Sequence, residues 1–317
     1  MTLVRRLSVS ALALQMLLVV SGTAVRVTGS GLGCPTWPRC TGGSLTNTAA
    51  LGSHGYIEFG NRLLAVVMEA VGIALVLAVR RVPHPRSWSR LALVQAAVVP
   101  LQAVIGGLLV LSGLNPYVLI LHFLTSFPLV YGAAALLHRI LGDPILGDPR
   151  PPHPRNQGVY GGAESVDHVL RGLGAGLVAA TTAVLVLGTL VTGTGPHAGD
   201  PKVKRLPFSP RDVTQLHADA VYLLVGLSLA TLLVAWRTRL RPLALTLAGL
   251  IAAQGGIGYW QYFTQVPPVL VGMHVAGATL VFATASWIQL SAGRAAPLPV
   301  RSAGPTPARV PGTAPAP

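Results

Sequence analysis

Apolar residues form eight long runs along the chain, each about 20 residues in length, and charged residues, prolines or glycines separate them. An α-helix of that length crosses the hydrocarbon core of a bilayer, and polar residues mark its ends. The pattern predicts transmembrane helices near 7–27, 55–79, 90–112, 117–138, 169–191, 213–236, 242–262 and 268–290. Arg5 and Arg6 precede the first run, but it shows no convincing small-residue cleavage site, so we predict a retained helix rather than a signal peptide.

The composition is that of a membrane protein. Hydrophobic residues make up 51% of the chain, charged residues make up 10%, and the mean hydropathy is +0.60. These values exclude a soluble domain of 317 residues. The predicted fold class is an all-α polytopic membrane protein with eight transmembrane helices.

The net charge of +14 follows the topology of these helices. If the N-terminus is cytoplasmic, 16 of the 23 lysines and arginines fall in inner segments and seven in outer segments. This distribution follows the positive-inside rule and predicts that both termini are cytoplasmic. The basic excess therefore indicates membrane topology, not a nucleic-acid-binding surface, and we predict a bacterial-type plasma membrane location with no nucleic-acid partner.

The two halves of the chain resemble each other in sequence. Matched segments are Val27–Gly31 with Val191–Gly195, Gln102 with Gln254 and His122 with His274 (both at an offset of 152), and Glu58–Asn61 with Thr214–His217 (offset 156). Four spans repeated in the same orientation predict two four-helix bundles related by an axis along the membrane normal. We predict an N-terminal bundle over 1–141, a Pro- and Gly-rich cytoplasmic linker over 142–167, a C-terminal bundle over 168–291 and a disordered tail over 292–317.

Most of the ionisable and amide side chains inside the predicted spans occupy one layer. Spans two, four, six and eight enter from the outer side, and each carries its polar residues within the first two turns, roughly 5–10 Å below the surface. These residues are Glu58, Asn61, His122, His217 and His274. The layer is where we expect the chemistry of the protein.

The pair His217 and His274 favours a haem iron with two axial imidazole ligands, because two facing helices of one bundle offer imidazoles at the same depth. Two alternatives remain open. Each histidine could simply hydrogen-bond to a neighbouring helix. Zinc fits less well, since no carboxylate or thiolate joins the histidines. Glycines near them leave room for a flat macrocycle or serve ordinary close packing.

The motifs VRVTGSGLGCPTWPRC, EFGNRLL and QAVIGGLLV, with the histidines near the heads of spans four, six and eight, resemble the haem A synthase (CtaA/Cox15) family over roughly residues 7–290. The resemblance implies haem b held by His217 and His274 in the C-terminal half. The N-terminal half would bind haem O and oxidise its C8 methyl group, through hydroxylated intermediates, to the formyl group of haem A. Glu58 matches the family's essential glutamate, and His122 matches one of its N-terminal histidines.

The chain departs from the family pattern at Asn61, where a second N-terminal histidine is usual. An amide is a poor ligand for haem iron, so two accommodations are open. His122 would act alone and leave an open iron position, which is the alternative we prefer. Otherwise His54 would provide the second iron ligand, because it lies on the same helical face as Asn61 if the helix extends that far. The simpler interpretation of His54 is a solvated loop residue.

Four charged residues, Glu58, Arg62, Arg26 and Glu69, carry further hypotheses. Glu58 and Arg62, four positions apart, would form a surface ion pair, or Glu58 beside a haem would accept protons or stabilise a cationic carbon. Arg26 and Arg62 are predicted to meet the substrate haem's propionates. Glu69, about three turns deeper than Glu58, either pairs with a polar residue or belongs to a proton path.

The chain has two cysteines, Cys34 and Cys40, in the predicted first outer loop. A disulfide there would close a short lid over the N-terminal site, because the outer side permits oxidation. The bridge would be structural, or it would take part in redox exchange. The second half has no equivalent pair, which associates the lid with the half predicted to bind substrate.

Two other function classes stay open from the sequence. One is a two-haem b-type electron carrier that reacts with quinone, and the other is a transporter, which only the repeat suggests. For a haem A synthase the implied partners are haem O, the lipid bilayer, haem O synthase, cytochrome oxidase assembly factors, an unknown electron acceptor and a possible second copy of the chain.

Overall fold

The computed structural model describes residues 2–142, 161–197, 199–200 and 203–292. Its helices are α1 (Thr2–Val27), α2 (Gly52–Arg80), α3 (Arg86–Leu111), α4 (Pro116–Leu124), α5 (Ser126–Leu141), α6 (Gly161–Thr194), α7 (Pro210–Ala235), α8 (Arg241–Phe263) and α9 (Pro268–Ser291). A short 3-10 helix, Ala49–Leu51, precedes α2.

The predicted all-α membrane fold is confirmed. Eight spans in the described residues are long and apolar enough to cross a membrane, and they match the predicted runs with shifts of a few residues at most ends. The largest shift is at α6, which begins at Gly161, several residues before the predicted start of the fifth span. Most of the predicted linker and nearly all of the predicted tail lie outside the described residues.

The fourth span is a broken helix, which the hydropathy pattern does not predict. α4 ends and α5 begins around Thr125, three residues before Pro128. Proline has no N–H to donate to the carbonyl of Leu124, so the regular hydrogen-bond ladder is interrupted there. The Nε2 of Gln102 on α3 donates to the Thr125 hydroxyl at 2.9 Å and to the His122 carbonyl at 3.4 Å, which satisfies groups freed at the break.

The helices of the two halves pack around separate apolar clusters. Side chains of α1, α2, α3 and α5 form one cluster, which includes Leu75, Val79 and Trp88. Side chains of α6, α7, α8 and α9 form another, which includes Leu177, Leu247 and Ile288. The membrane interior of each half is therefore a packed helical core with the polar layer near one end.

The end of the molecule that carries the cysteine segment is termed the loop end here, and the opposite end is the far end. At the loop end the halves touch through backbone, where the N–H of Gly31 donates to the carbonyl of Gly199 at 3.2 Å. Leu114, which is buried and has a left-handed backbone (φ 60°), packs its side chain against both glycines. Gly31 leaves no room for a Cβ there, since it would lie 2.7 Å from a Leu114 methyl carbon.

Candidate functional site

The imidazoles of His217 on α7 and His274 on α9 face each other in the second half. Their ring centroids are 6.4 Å apart and the ring planes are inclined at 65°. A metal–nitrogen bond to imidazole is about 2 Å and the ring centroid lies about 1 Å beyond the nitrogen, so one metal between two opposed imidazoles requires centroids about 6 Å apart. The observed separation fits two axial ligands of a single iron.

The surroundings of these two rings also suit a ligand role. The Nδ1 of His217 is 3.1 Å from the carbonyl oxygen of Val184 on α6, which orients the ring and leaves Nε2 for a metal. The Nδ1 of His274 is buried and has no hydrogen-bond partner among the described residues. Glycines lie against both rings, Gly188 beside His217 and Gly258 beside His274, so neighbouring helices approach without side chains.

Further metal ligands from the chain do not gather there. In the ranges that the structure describes, no group of three or more His, Cys, Asp or Glu side chains is placed to hold a metal ion. A metal held by the two imidazoles would need its other ligands from a non-protein group. The porphyrin nitrogens of a haem meet that need, so these residues fit a haem better than a bare ion.

His122 occupies the corresponding place in the first half. Its ring lies against Gly106 of α3, where an added Cβ would come within 3.3 Å of Cε1. Its Nδ1 is buried and lacks a hydrogen-bond partner within the described part of the chain. The environment resembles that of His274, but among the described residues no second imidazole lies beside the ring of His122 in the way that His217 lies beside His274.

Asn61, where the usual histidine is missing, and His54, its possible substitute, are both held by serines. The amide oxygen of Asn61 accepts a hydrogen bond of 2.6 Å from the hydroxyl of Ser21 on α1. His54 lies in the first turn of α2, and its Nδ1 is 2.9 Å from the hydroxyl of Ser30. His54 is thus two turns closer to the loop end than Asn61, on the wall of a cavity of about 530 Å³ that Asp200 also lines.

The cysteine segment folds over the loop end of α2. Cys34 and Cys40 form a disulfide and both side chains are fully buried, which confirms the predicted pairing. The Oε2 of Glu58 accepts a hydrogen bond of 2.7 Å from the backbone N–H of Cys34. Trp37, between the two cysteines, packs its indole ring against Gly107 of α3, next to the glycine that supports His122. The segment therefore contacts α2, which carries Glu58 and Asn61, and α3, against which the ring of His122 lies.

Arg62 ties the same segment to Glu58. Its guanidinium donates to the Oε1 of Glu58 at 2.5 Å and to the carbonyls of Cys34 and Thr36 at 3.1 Å. Glu58 is 4% exposed and Arg62 is partly buried, so the carboxylate of the pair is shielded from solvent, unlike that of a surface ion pair. The geometry fixes the carboxylate in one position relative to the disulfide.

Arg26 differs from Arg62 in its contacts. It lies in the last turn of α1, partly buried, and its guanidinium forms no hydrogen bond or ion pair with any other described residue. A partly buried cation without a partner favours an anionic ligand. Both arginines were predicted to bind haem propionates. The guanidinium N–H groups of Arg26 have no described partner and can still bind an anion, whereas those of Arg62 already donate to Glu58 and to carbonyls of the cysteine segment.

Several residues of the site were not found from the sequence. Ser21, Ser30 and the Val184 carbonyl orient Asn61, His54 and His217, and Trp37 connects the loop to α3. Each contact joins different elements, and hydropathy or spacing carries no signal for it. The recurrence of Gln102 at 152 positions was a visible signal, but its role at the helix break was not.

Comparisons with known proteins give a consistent result. The family model described as cytochrome oxidase assembly protein, COX15-CtaA, matches residues 5–285. The Heme A synthase of Geobacillus kaustophilus is 26% identical over 309 residues, which cover 93% of each chain. The Heme A synthase of Bacillus pumilus is 33% identical over 140 residues, 43% of this chain and 44% of that relative. The Heme A synthase of Oceanobacillus iheyensis is 29% identical over 119 residues, 35% and 37% of the two chains.

Proposed function

Because the chain belongs to the COX15-CtaA family of cytochrome oxidase assembly proteins, we propose that it is a haem A synthase, an oxidoreductase that converts haem O into haem A. The observation that carries the proposal is the difference between the halves. The second half offers two opposed imidazoles, whereas the first offers one imidazole and a carboxylate fixed under a disulfide loop. This arrangement suits a resident cofactor in one half and a substrate in the other.

In the second half, His217 and His274 would hold haem b through their Nε2 atoms. The bound haem would supply one-electron transfer between the substrate half and an external electron acceptor. The residues contribute orientation: the Val184 carbonyl fixes the His217 ring, and Gly188 and Gly258 let neighbouring helices lie close to the imidazoles.

In the first half, His122 would bind the iron of haem O alone. Support comes from the buried, unpartnered Nδ1 of His122 and from the Ser21–Asn61 hydrogen bond, which occupies the amide oxygen of Asn61. Arg26, with no protein partner in the described ranges, would bind a propionate. His54 would stay with Ser30 at the loop end and take no part in ligation.

Glu58 would act on the methyl group undergoing oxidation, which we propose is the C8 methyl. Conversion of a methyl to a formyl group is a four-electron oxidation. With water as the source of the formyl oxygen, four electrons leave to an acceptor outside the chain and four protons are released. The carboxylate keeps lone pairs beyond those used by the Cys34 N–H and by Arg62, so it can accept a proton or stabilise positive charge on the carbon.

The setting of this reaction is also part of the proposal. The chain would lie in a cell membrane with both termini in the cytoplasm, as the positive-inside distribution favours. Its loop end would face outward, where the disulfide is stable. Haem O synthase would deliver the substrate, and oxidase assembly factors would receive the product.

A pigment analysis tests the function against the electron-carrier alternative. Membranes that express this chain together with a source of haem O should yield haem A, recognised by its chromatographic mobility and red-shifted reduced spectrum. Membranes with the haem O source alone serve as the control. Recovery of haem b and unchanged haem O, with no haem A, would contradict the proposal and favour the two-haem electron carrier.

A further inference from the structure

Three polar side chains lie in the first half between the histidine level and the far end: Gln15 on α1, Glu69 on α2 and Gln95 on α3. Gln15 is 3% exposed and Gln95 is 5% exposed, whereas Glu69 is partly buried. Each has a buried polar atom, Nε2, Oε2 and Oε1 respectively, that finds no hydrogen-bond partner among the described residues. A buried polar group without a hydrogen bond is unfavourable inside a bilayer, so three of them in one bundle indicate a partner other than the described side chains.

These side chains continue the polar layer toward the middle of the span. Glu69 follows Glu58 by 11 residues, about three turns and roughly 16 Å along α2, so the two carboxylates lie on one face of the helix. Gln95 precedes Gln102 by seven residues, about two turns of α3. The Oε1 of Gln102 is likewise buried without a partner in the part of the chain described. Polar atoms thus extend from the level of His122 to the level of Glu69.

The second half carries apolar side chains at two of the corresponding positions. At the offsets that relate His122 to His274 and Asn61 to His217, the counterpart of Gln95 is Leu247 and the counterpart of Glu69 is Val225. Leu247 is fully buried in the apolar cluster of that half, and Val225 packs against it. The two halves therefore differ at these two positions, although the hydroxyl of Ser228, one turn deeper on α7 than Val225, is also buried without a partner among the described residues.

Toward the far end the polar side chains give way to tightly packed apolar ones. Leu75, Val79 and Trp88 belong to the core cluster there and are at most 2% exposed. Water at the level of Glu69 would be cut off from the far end and would communicate with the histidine level instead. Polar groups of this kind are the usual partners of buried water, which needs two to four of them.

We propose that Gln15, Glu69 and Gln95 hold a small cluster of water beneath the haem O site, and that Glu69 accepts a proton released at that site. A proton released at the site protonates a water molecule of the cluster, which passes one of its protons to the Glu69 carboxylate and ends neutral. For each O–H bond that breaks on the water, one forms on Glu69, and no electrons move. Glu69 later returns the proton through the same water to the histidine level. The proposed water cluster is inferred from the structure alone, whereas the proton that Glu69 accepts would come from the reaction under "Proposed function" and depends on that proposal.

Introduced cysteines test the hydration independently of activity. Both native cysteines are in the disulfide, so an introduced cysteine is the only free thiol. In the purified full chain with haem b bound, Gln95→Cys should react at least tenfold faster with a small cationic methanethiosulfonate than Leu247→Cys, because that reagent requires water. Both positions are buried, so exposure does not explain a difference. Equal rates would overturn the proposed water cluster. If Gln95→Cys does not retain haem b, the pair Glu69→Cys and Val225→Cys gives the same comparison.

The proton role has a separate test. Glu69→Gln should slow haem A formation about tenfold or more, and Glu69→Asp should restore most of the rate, because only a carboxylate accepts a proton. The haem b spectrum and the thermal midpoint should not change in either variant. A wild-type rate in Glu69→Gln, or equal losses in both variants with a lower midpoint, would refute the proton role. Cysteine labelling that succeeds while wild-type membranes make no haem A would reject the proposed function and leave the water cluster standing.

Discussion

At the scale of single residues, the three membrane histidines are distinguished by what their rings touch. His122, His217 and His274 each lie against a glycine of a neighbouring helix, and His217 alone has a hydrogen-bond partner for its Nδ1. A histidine that served packing alone would use both nitrogens, because an unpaired nitrogen is costly in a bilayer. The Nδ1 atoms of His122 and His274 have no such partner among the described residues, so hydrogen bonding to a neighbouring helix does not account for these two rings.

The paired histidines lead to the first prediction. His217→Ala and His274→Ala should each abolish low-spin haem b binding, because a single remaining imidazole leaves one axial position without its ligand. Membrane insertion should be unchanged, and expression level with the visible spectrum of the purified chain measures both. His168→Ala, an exposed position on α6, is the matched control and should keep the spectrum. A bis-histidine spectrum in either variant would disprove the assignment.

The substitution Glu58→Gln removes the negative charge of the side chain while keeping its shape, and so tests the chemical role of the carboxylate. Glu58→Gln can still accept the Cys34 N–H but has no negative charge, so haem A formation should fall by about 100-fold or more. Haem O or a hydroxylated intermediate should accumulate while haem b remains bound, as chromatography of extracted pigments would show. Asp212→Asn, exposed at the start of α7, controls for loss of an acidic group at the loop end. Wild-type haem A yield from Glu58→Gln would remove Glu58 from the mechanism.

Asn61→His tests whether His122 works alone. The new imidazole would replace the amide that Ser21 now holds and would give the substrate iron a second axial ligand. We expect the substrate haem to become low-spin and haem A formation to slow, which optical spectra and a rate assay would detect. Ser21→Ala is the control, because it frees the Asn61 amide without supplying a ligand. An unchanged spectrum and rate in Asn61→His would show that position 61 does not face the iron.

At the scale of elements, the disulfide loop acts as a clamp on α2 and α3. The Cys34 N–H and carbonyl bind Glu58 and Arg62, and Trp37 rests on Gly107. A change in the loop is transmitted to the carboxylate and to the helix next to His122. We therefore expect the disulfide to act structurally, because the backbone of Cys34 contacts Glu58 directly and Trp37 contacts the residue next to Gly106.

The loop prediction follows from this geometry. Replacing both Cys34 and Cys40 with Ser should lower the free energy of unfolding by about 2 kcal/mol and slow haem A formation without ending it, since the Glu58 contacts use backbone groups that remain. Thermal unfolding and product analysis measure the two effects. Ser44→Ala, in the same loop but outside the bridge, is the control. Complete loss of activity in a chain that still folds and binds haem b would instead favour a redox role for the disulfide.

The position of a helix could be predicted from the sequence where a single strong local signal, such as an apolar run, determines it. All eight spans could be located from hydropathy because each is an unbroken apolar run. The break at Thr125 was not predicted, because Pro128 is tolerated in many membrane helices and only the contact with Gln102 shows how the break is satisfied. The Glu58–Cys34 contact joins residues 24 positions apart, and spacing gives no information on such pairs.

At the scale of the whole molecule, contacts at three levels join the two halves. The Gly31–Gly199 hydrogen bond lies at the loop end, and the 3.0 Å contact between His138 and Ser291 lies at the far end. Between them an apolar cluster brings α1 and α5 of the first half against α6 and α9 of the second, through Val19, Phe127, Val130, Leu185 and Phe282. The sequence predicted two halves but not this interface, because its residues look like any other apolar positions in their helices.

The last prediction concerns this interface and asks whether the stability of the haem b half depends on its contact with the substrate half. The rings of Phe127 and Phe282 meet edge to face with centroids 5.1 Å apart, and both are nearly fully buried. Phe282→Ala should therefore destabilise the chain by about 3–5 kcal/mol through the cavity it leaves. Phe282 is eight residues beyond His274 on α9, so the loss should release haem b at a lower temperature, which a thermal melt followed at the haem absorption band measures. Phe263→Ala, at a ring that is 76% exposed, should leave that melt unchanged. A melt of Phe282→Ala that equals the wild-type melt would mean that the halves are stable without this contact, and that the haem b half does not rely on the substrate half for its order.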